Sequence, residues 1–566
     1  MSDNYEYEKS SRPQDIDDYS PYMDKQYNGY INDLNSGVYT NTSLSLVQFD
    51  LGQIYNSQKF TDTNDLFLVL PITMVAAFST GAAAVAPTAG NSQLLAMKTN
   101  FINLIHQADL QINGKTIEST QSFVNVAKNF QMLSEMSVND LATIGYTLGF
   151  GDCVDNPRSA VWNGNSATAN GQGFTNNKIA GARYPTTIQL KPNDGTGNDA
   201  ILSKLNRYVD TASSYNGIHA NILSTTNLTN EGKPIYQVLN TNYMVWYDTA
   251  VIKLSNLFES LGNVGLVRKF DCTIRLWVNT GSVNVAVTNP NASNLTYSLA
   301  TANNTFTNTC PFTLNYLNVA TTAGIPATTT NIVAGLYINK PPTTSAAGIN
   351  LGNSQASHPI SACRVYFSQI QIEPTKALTY VEQNRNKKVV YRTILTNQYN
   401  NTTAGGNFNQ LINSGVIHPT GILIVPFISS QQAGLGDFAW KSPFDTAPTT
   451  GHPISLTNLQ VSVGGVNQLQ STLYYSYENF IEQINLAEAL TSSDFGITCG
   501  LMNQSYWETF RSYYVNIERS AITDKNVPRN INVSFTNNTQ VAIDVLTFIF
   551  YSDEFVIDVE SGLVKK

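Results

Sequence analysis

Ala108-Asp-Leu-Gln-Ile-Asn-Gly-Lys-Thr-Ile-Glu-Ser-Thr-Gln-Ser-Phe-Val-Asn-Val-Ala-Lys-Asn-Phe130 decides how the chain is organised, because a later stretch repeats its grammar. The echo is Thr457-Asn-Leu-Gln-Val-Ser-Val-Gly-Gly-Val-Asn-Gln-Leu-Gln-Ser-Thr-Leu-Tyr-Tyr-Ser-Tyr-Glu-Asn-Phe480. In each, a strand opens on Leu-Gln (Leu110-Gln111, Leu459-Gln460) and meets a glycine turn (Asn113-Gly114, Gly464-Gly465) before a second short strand. A Gln-Ser or Ser-Thr start then leads into an aromatic-rich helix carrying Asn-Phe (Asn129-Phe130, Asn479-Phe480). Internal repetition sets the domain count, so it is read before any fold is considered.

The echo extends to both sides. Leu66–Ile72 precedes the first copy and Gly421–Phe427 the second, each an apolar run that reads as a buried strand closed by a proline, Pro71 and Pro426. Downstream, Trp246–Leu261 and Tyr506–Ile517 read as aromatic helices. Strands ending near Asn279 and Asn537 follow, and last strands are expected at Cys363–Ile372 and Val545–Phe550. The order and punctuation repeat, which gives two homologous β-sandwich units in tandem.

Composition supports that class. Of 566 residues only 13% are charged, and the chain is rich in Asn, Thr, Ser, Gly and Tyr, a mixture suited to strands joined by polar but neutral loops. Its formal net charge of -8 is the wrong sign for a protein that binds nucleic acid by neutralising phosphates. The five cysteines (Cys153, Cys272, Cys310, Cys363, Cys499) are scattered and odd in number, which excludes a dense disulfide framework and the short-spaced zinc patterns. They read as small buried hydrophobes. The acidic start, Met1-Ser-Asp-Asn-Tyr-Glu-Tyr-Glu, is neither a secretion signal nor a transit peptide and implies a chain soluble when made. Leu66–Phe78 is too short to cross a bilayer as a helix.

Taken in order, residues 1–40 read as an acidic, tyrosine-rich arm (Tyr5, Tyr7, Tyr19, Tyr22, Tyr27, Tyr30), residues 41–378 as the first unit and 379–566 as the second. Asn113-Gly114 is a hairpin signal. The adjoining Gly114-Lys115-Thr116 is not a phosphate loop, since the earlier glycine is missing and Asp109 stands there. Gln121–Met136 carries Phe123, Val126, Ala127, Phe130 and Leu133 at helical spacing. The first unit alone holds two large insertions, about 150–240 and 281–360, rich in Asn, Thr and Gly; they should make its exposed end the taller. Arg385, Lys387, Lys388 and Arg392 read as a solvated linker between the units.

The search for chemistry assigns no catalytic, cofactor-binding or metal-binding residue. His106, His219, His358, His418 and His452 lie in five separate segments, none at ligand spacing from another His, Cys or acid. No nucleophile elbow is present. Asp553-Glu554 and Asp558/Glu560 could be a glycosidase pair, but read more simply as charges guarding a strand edge.

The duplicated Leu-Gln…Gly…Asn-Phe segments, the run Gly405-Gly-Asn-Phe and the closing Asp544-Val-Leu-Thr-Phe-Ile-Phe-Tyr-Ser-Asp-Glu-Phe-Val-Ile-Asp558 together carry a resemblance. Over about residues 40–566 the chain resembles the double jelly-roll major capsid proteins of virophages and polinton-like viruses. The resemblance implies an all-β fold of two tandem jelly-roll sandwiches with short helices and long loop insertions in the first. It implies a non-enzymatic structural subunit that forms homotrimers of pseudo-hexagonal outline. Such trimers would tile an icosahedral shell around a DNA genome, with or without an internal membrane, beside penton and minor capsid proteins. The chain would be assembled inside the host cell and found in the virion, needing no cofactor and no sequence-specific nucleic-acid contact. The alternative is a receptor- or carbohydrate-binding β-sandwich surface protein. Such a protein should cluster exposed aromatics on one loop set, whereas Trp162, Trp246, Trp277, Trp440 and Trp507 are dispersed.

Overall fold

The computed structural model describes residues 23–149, 243–299, 309–316, 330–341, 358–429, 454–486, 499–517 and 527–566, with short gaps inside these ranges, and the strands Ala160–Asn163, Thr187–Leu190 and Tyr236–Val238. His219, His452, Cys153 and Trp440, and most of insertion 150–240, lie outside the described residues.

The first unit is built on β1 (Met23–Asn32), β2 (Leu44–Asp50), β3 (Phe60–Thr80), β4 (Ile105–Ile112), β5 (Lys115–Thr120), β6 (Tyr243–Lys253), β7 (Cys272–Asn279) and β8 (Arg364–Ile372). The second is built on β9 (Lys387–Thr402), β10 (Asn407–Asn413), β11 (Pro419–Ile428), β12 (Leu456–Val463), β13 (Val466–Asn467), β14 (Tyr513–Asn516), β15 (Ile531–Asn537) and β16 (Ile543–Ile557). In the first unit β8 lies between β1 and β3, with β6 on the far side of β3, over a second sheet ordered β2-β7-β4-β5. In the second unit the orders are β9-β16-β11-β14 and β10-β15-β12-β13. Each of these eight strands of the first unit thus has a counterpart eight places later, and all these pairings are antiparallel. Two sheets wound in this order make a jelly roll. The fold is a double jelly roll.

Alternation builds the sandwiches. Cys272, Ile274, Leu276 and Val278 of β7 are buried while Thr273, Arg275 and Trp277 are half-exposed; Ile531, Val533 and Phe535 of β15 alternate likewise with Asn532, Ser534 and Thr536. Side chains of a strand point to opposite faces in turn, so a period of two fills one core and leaves the other face polar. The β4–β5 hairpin turns on Asn113 (φ 50°) and Gly114 (φ 72°), the left-handed pair that a two-residue hairpin needs. Its counterpart uses Gly464 (φ 58°) and Gly465 (φ 84°).

Several sequence expectations change. Pro71 does not close its strand: β3 runs for 21 residues through it. On one side of β3, β8 pairs up to Val69 and Thr330–Ile338 takes over at Ile72, so the proline, which has no N–H to donate, falls between two partners. Pro426 likewise lies within β11, past the last residue paired with β14. The helix read over Trp246–Leu261 is a strand as far as Lys253, paired with β3 from Phe67 to Ala77. Its helical part is confined to Leu254–Leu257 and α2 (Glu259–Val264). Of the helix expected over Tyr506–Ile517, Tyr513–Asn516 is the strand β14. Within the expected arm 1–40, Met23–Asn32 is the edge strand β1, paired residue by residue with β8. Last, the basic linker is no linker: Lys387, Lys388 and Arg392 open β9.

Insertion 281–360 contributes Gly281–Asn291 and Thr330–Ile338, which lengthen the sheet beside the far half of β3. β3 has 21 residues where its counterpart β11 has 10.

The two units share their cores. α1 (Val124–Glu135) follows β5 and α4 (Tyr477–Leu486) follows β13. Yet Val126, Ala127, Phe130 and Leu133 of α1 pack among the second unit's core residues, with Ile422, Phe480, Trp507 and Tyr514. In return Val389, Tyr391, Phe555, Ile557 and Val559 of the second unit lie in the first unit's core. Each large apolar side chain so buried contributes about 1.5–3 kcal/mol, so the exchange binds the units into one body. The boundary expected at 379 falls inside α3 (Pro374–Gln383), whose Tyr380 is fully buried and donates to the Leu266 carbonyl at 3.1 Å. Among the described residues no helix is long and apolar enough to cross a membrane.

Candidate assembly surface

Among the described residues the first two strands of each unit are edge strands: β1 and β2 each have one partner strand, as do β9 and β10. Sequence proximity brings the two edges together. The Leu34 N–H donates to the Gln48 carbonyl (2.8 Å) and the Asn35 amide to the Leu46 carbonyl (2.7 Å), tying the β1–β2 loop along β2. In the second unit the Asn397 amide, on β9, donates to the Ile412 carbonyl of β10 (2.9 Å).

These open sides carry apolar side chains that the chain's own core does not use. Tyr30, Leu34, Val38 and Leu46 are exposed around β1 and β2, Val38 to 76%. Val390 and Leu411 are exposed on β9 and β10. Tyr30 packs on Tyr366 of β8 (centroids 5.5 Å), with the Arg364 guanidinium 4.7 Å above its ring. Tyr27 holds the Lys59 ammonium 3.2 Å from its ring centre. Tyrosine and arginine of this kind, beside bare backbone edges, suit contact with another protein surface. Sequence reading placed Tyr27 and Tyr30 in the arm; the structure finds that they pack on this chain's own strands.

The residues weighed for chemistry are dispersed. His106 is buried edge-on against Phe123 (4.8 Å), and burial lowers its imidazole to about 4. His358 is buried near Thr249, at 3.3 Å, and burial likewise lowers it. His418 is exposed in a turn at φ 56°. Cys272, Cys310, Cys363 and Cys499 are thiols outside any disulfide, and all four are buried. Among the described residues no three His, Cys, Asp or Glu side chains are grouped to hold a metal ion. Lys115 is exposed at the start of β5, paired with Ile112.

The C-terminal carboxylates have structural partners. Asp553 meets Lys566 (2.8 Å), Glu554 meets Lys388 (2.7 Å), Asp558 accepts from Ser561 (2.6 Å), and Glu560 lies 3.9 Å from Arg268. β16 lies between β9 and β11 only as far as Tyr551; Asp553 and Glu554 stand beyond that point, paired with β9 alone, and Asp558 and Glu560 follow the end of the strand.

Sequence reading missed the polar seam between the units. Arg392 of β9 clamps Glu259 of α2 through Nε, at 3.0 and 3.2 Å, with Glu135 of α1 3.9 Å away. The Tyr391 hydroxyl lies 2.7 Å from the Ile117 carbonyl and 2.9 Å from Asp553, and accepts from Lys566 at 2.9 Å. Burial pushes the Asp553 carboxyl up, but Lys566, the Glu554 N–H and Tyr391 outweigh it and hold the group below its usual range. Next to this seam Glu118 is buried, and burial pushes it up to about 7 against the opposing pull of Lys128 and Ser260. Only the pattern of charges at Glu118, Lys128 and Arg392 could have signalled it, and Arg392 is far from the other two in sequence.

No protein-family model matches the sequence, and no curated protein matches it. Solved structures do. The chain is similar to the Sputnik virophage structure determined by cryo-EM, with a TM-score of 0.46 and 10% identity over 96% of this chain and 88% of that one. It is similar to the Faustovirus major capsid protein, with a TM-score of 0.44 and 10% identity over 97% of this chain and 93% of that one. The mavirus major capsid protein gives a TM-score of 0.41 and 9% identity, over 95% of this chain and 89% of that one.

Proposed function

We propose that the chain is a viral major capsid protein, a structural subunit of an icosahedral shell. The observation that carries the reading is the internal duplication: two jelly rolls of one strand order, joined through exchanged core residues into one rigid subunit. A subunit with two like lobes gives a threefold ring six lobes, a pseudo-hexagon that packs edge to edge in a shell. The low charge and the apolar open sides at β1/β2 and β9/β10 supply flanks that can be buried between copies. The taller first unit would stand outward. Shell partners are neighbouring trimers, with separate proteins at the fivefold corners, and the virion is where the protein acts.

Negative-stain images of the purified protein test this. Particles of hexagonal outline, or closed shells, are expected; a Leu46→Lys, Val38→Asp variant should fold yet lose them. Uniform small particles of no symmetry at high concentration would contradict the proposal and favour a binding module.

A further inference from the structure

Glu118 lies on β5 with 2% of its surface exposed, and the assembly reading gives it no task. Its Oε2 accepts from the Ser260 hydroxyl at 2.9 Å and from the Ser260 N–H at 3.4 Å. Its Oε1 has no partner among the described residues. An ionised carboxylate offers roughly four acceptor positions, so a buried one served by a single serine is poorly solvated. A protonated one is not.

The groups around it come from both units. α1 presents Lys128 and Glu135, and α2 presents Glu259 beside Ser260. The second unit presents Tyr391 and Arg392 on β9, Tyr551 and Asp553 on β16, and Lys566. Arg392 is committed to Glu259 and Lys566 to Asp553. That leaves Lys128, 4% exposed, as the cation opposing Glu118 among the described residues.

We propose that Glu118 is a proton-operated latch on the seam between the two jelly rolls. Uncharged, it lets β5, α1, α2 and β9 close dry over it. Charged, it draws Lys128 and water inward, and the hold of α1 and β9 across the seam loosens. The inference rests on the seam geometry and not on the capsid reading, so either can fail alone.

The direction follows from linkage. Burial raises the folded-state group from 4.5 to about 7, so between those values the folded chain binds the extra proton. The ionisation penalty is absent in acid, grows as pH rises through this window, and is complete above about 7.

Hydrogen–deuterium exchange of β5, α1 and the start of β9, corrected for intrinsic rates, reads the latch in the full chain. In the wild type, protection in these segments should fall roughly tenfold or more between mildly acidic and mildly alkaline pH, while β15 holds. Glu118→Gln should stay protected throughout. Ser260→Ala, which removes a donor to the charged form, should move the wild-type midpoint to higher pH. Equal wild-type protection at both ends, or parallel loss in Glu118→Gln, overturns the proposal. If Glu118→Gln does not fold, Ser260→Ala decides: an unmoved midpoint overturns it as well.

Discussion

Phe130 of the first unit and Phe480 of the second, each on the helix that follows the fifth strand of its unit, meet edge to face with ring centroids 6.3 Å apart. Phe130 also stacks on Tyr514 of β14 at 5.8 Å. The repeated Asn-Phe is therefore a contact as well as an echo. The first unit donates its helix to the second, and the second returns β9 and β16 residues to the first.

Removing that ring should cost the whole chain. Phe130→Ala should lower unfolding free energy by about 3–5 kcal/mol, as a fully buried aromatic is lost from a core that cannot collapse around it. In a double-mutant cycle with Phe480→Ala the coupling should be about 0.5–1.5 kcal/mol. Urea denaturation measures both; additive losses would mean that the rings do not interact.

Gly421 of β11 leaves room for Tyr514, whose hydroxyl and ring occupy the space a Cβ at 421 would take. Gly421→Ala should therefore destabilise the protein by about 1–3 kcal/mol, visible in thermal melts. Tyr514→Phe in that background should recover part of the loss, because the hydroxyl is the nearest atom.

Arg392 holds Glu259 across the seam with both partners about a quarter exposed, at 24% and 26%. Arg392→Ala should cost about 1.5–3 kcal/mol, with Glu259 and Glu135 left facing each other. Arg392→Lys should recover little, since an ammonium cannot reproduce the planar fork. Chemical denaturation at low and high salt separates this partly buried pair from Lys388–Glu554, which is exposed and should contribute almost nothing.

His106 sets the acid side of the stability profile. Its folded-state value is lowered from 6.5 to about 4, so the unfolded chain binds more protons between those values. Its contribution is full above about 6.5 and is lost as pH falls. His106→Phe should gain on the wild type by up to about 3 kcal/mol between neutral pH and about 4. A variant whose advantage does not change with pH would show that the buried imidazole is not the titrating group.

What the sequence declared was local. The Asn113-Gly114 turn needs only two residues to be read, and the β7 alternation only eight. The strand β6 was hidden because its aromatic run fits helical spacing and its extended form is imposed by β3, far away in sequence. β1 was hidden for the opposite reason: an edge strand half in water needs no apolar period, and Met23–Asn32 has almost none. The passage of β3 through Pro71 depends on where two other strands stop and start. The open sides emerge only once the sheets have an order, and the seam of Glu118, Arg392 and Asp553 emerges only once the two units are docked.

The native mass of the purified 62.0 kDa chain by light scattering, across a range of concentrations, tests the central claim most directly. The account predicts a species of three chains, or far larger shells, that persists on dilution. A single chain at every concentration would contradict it.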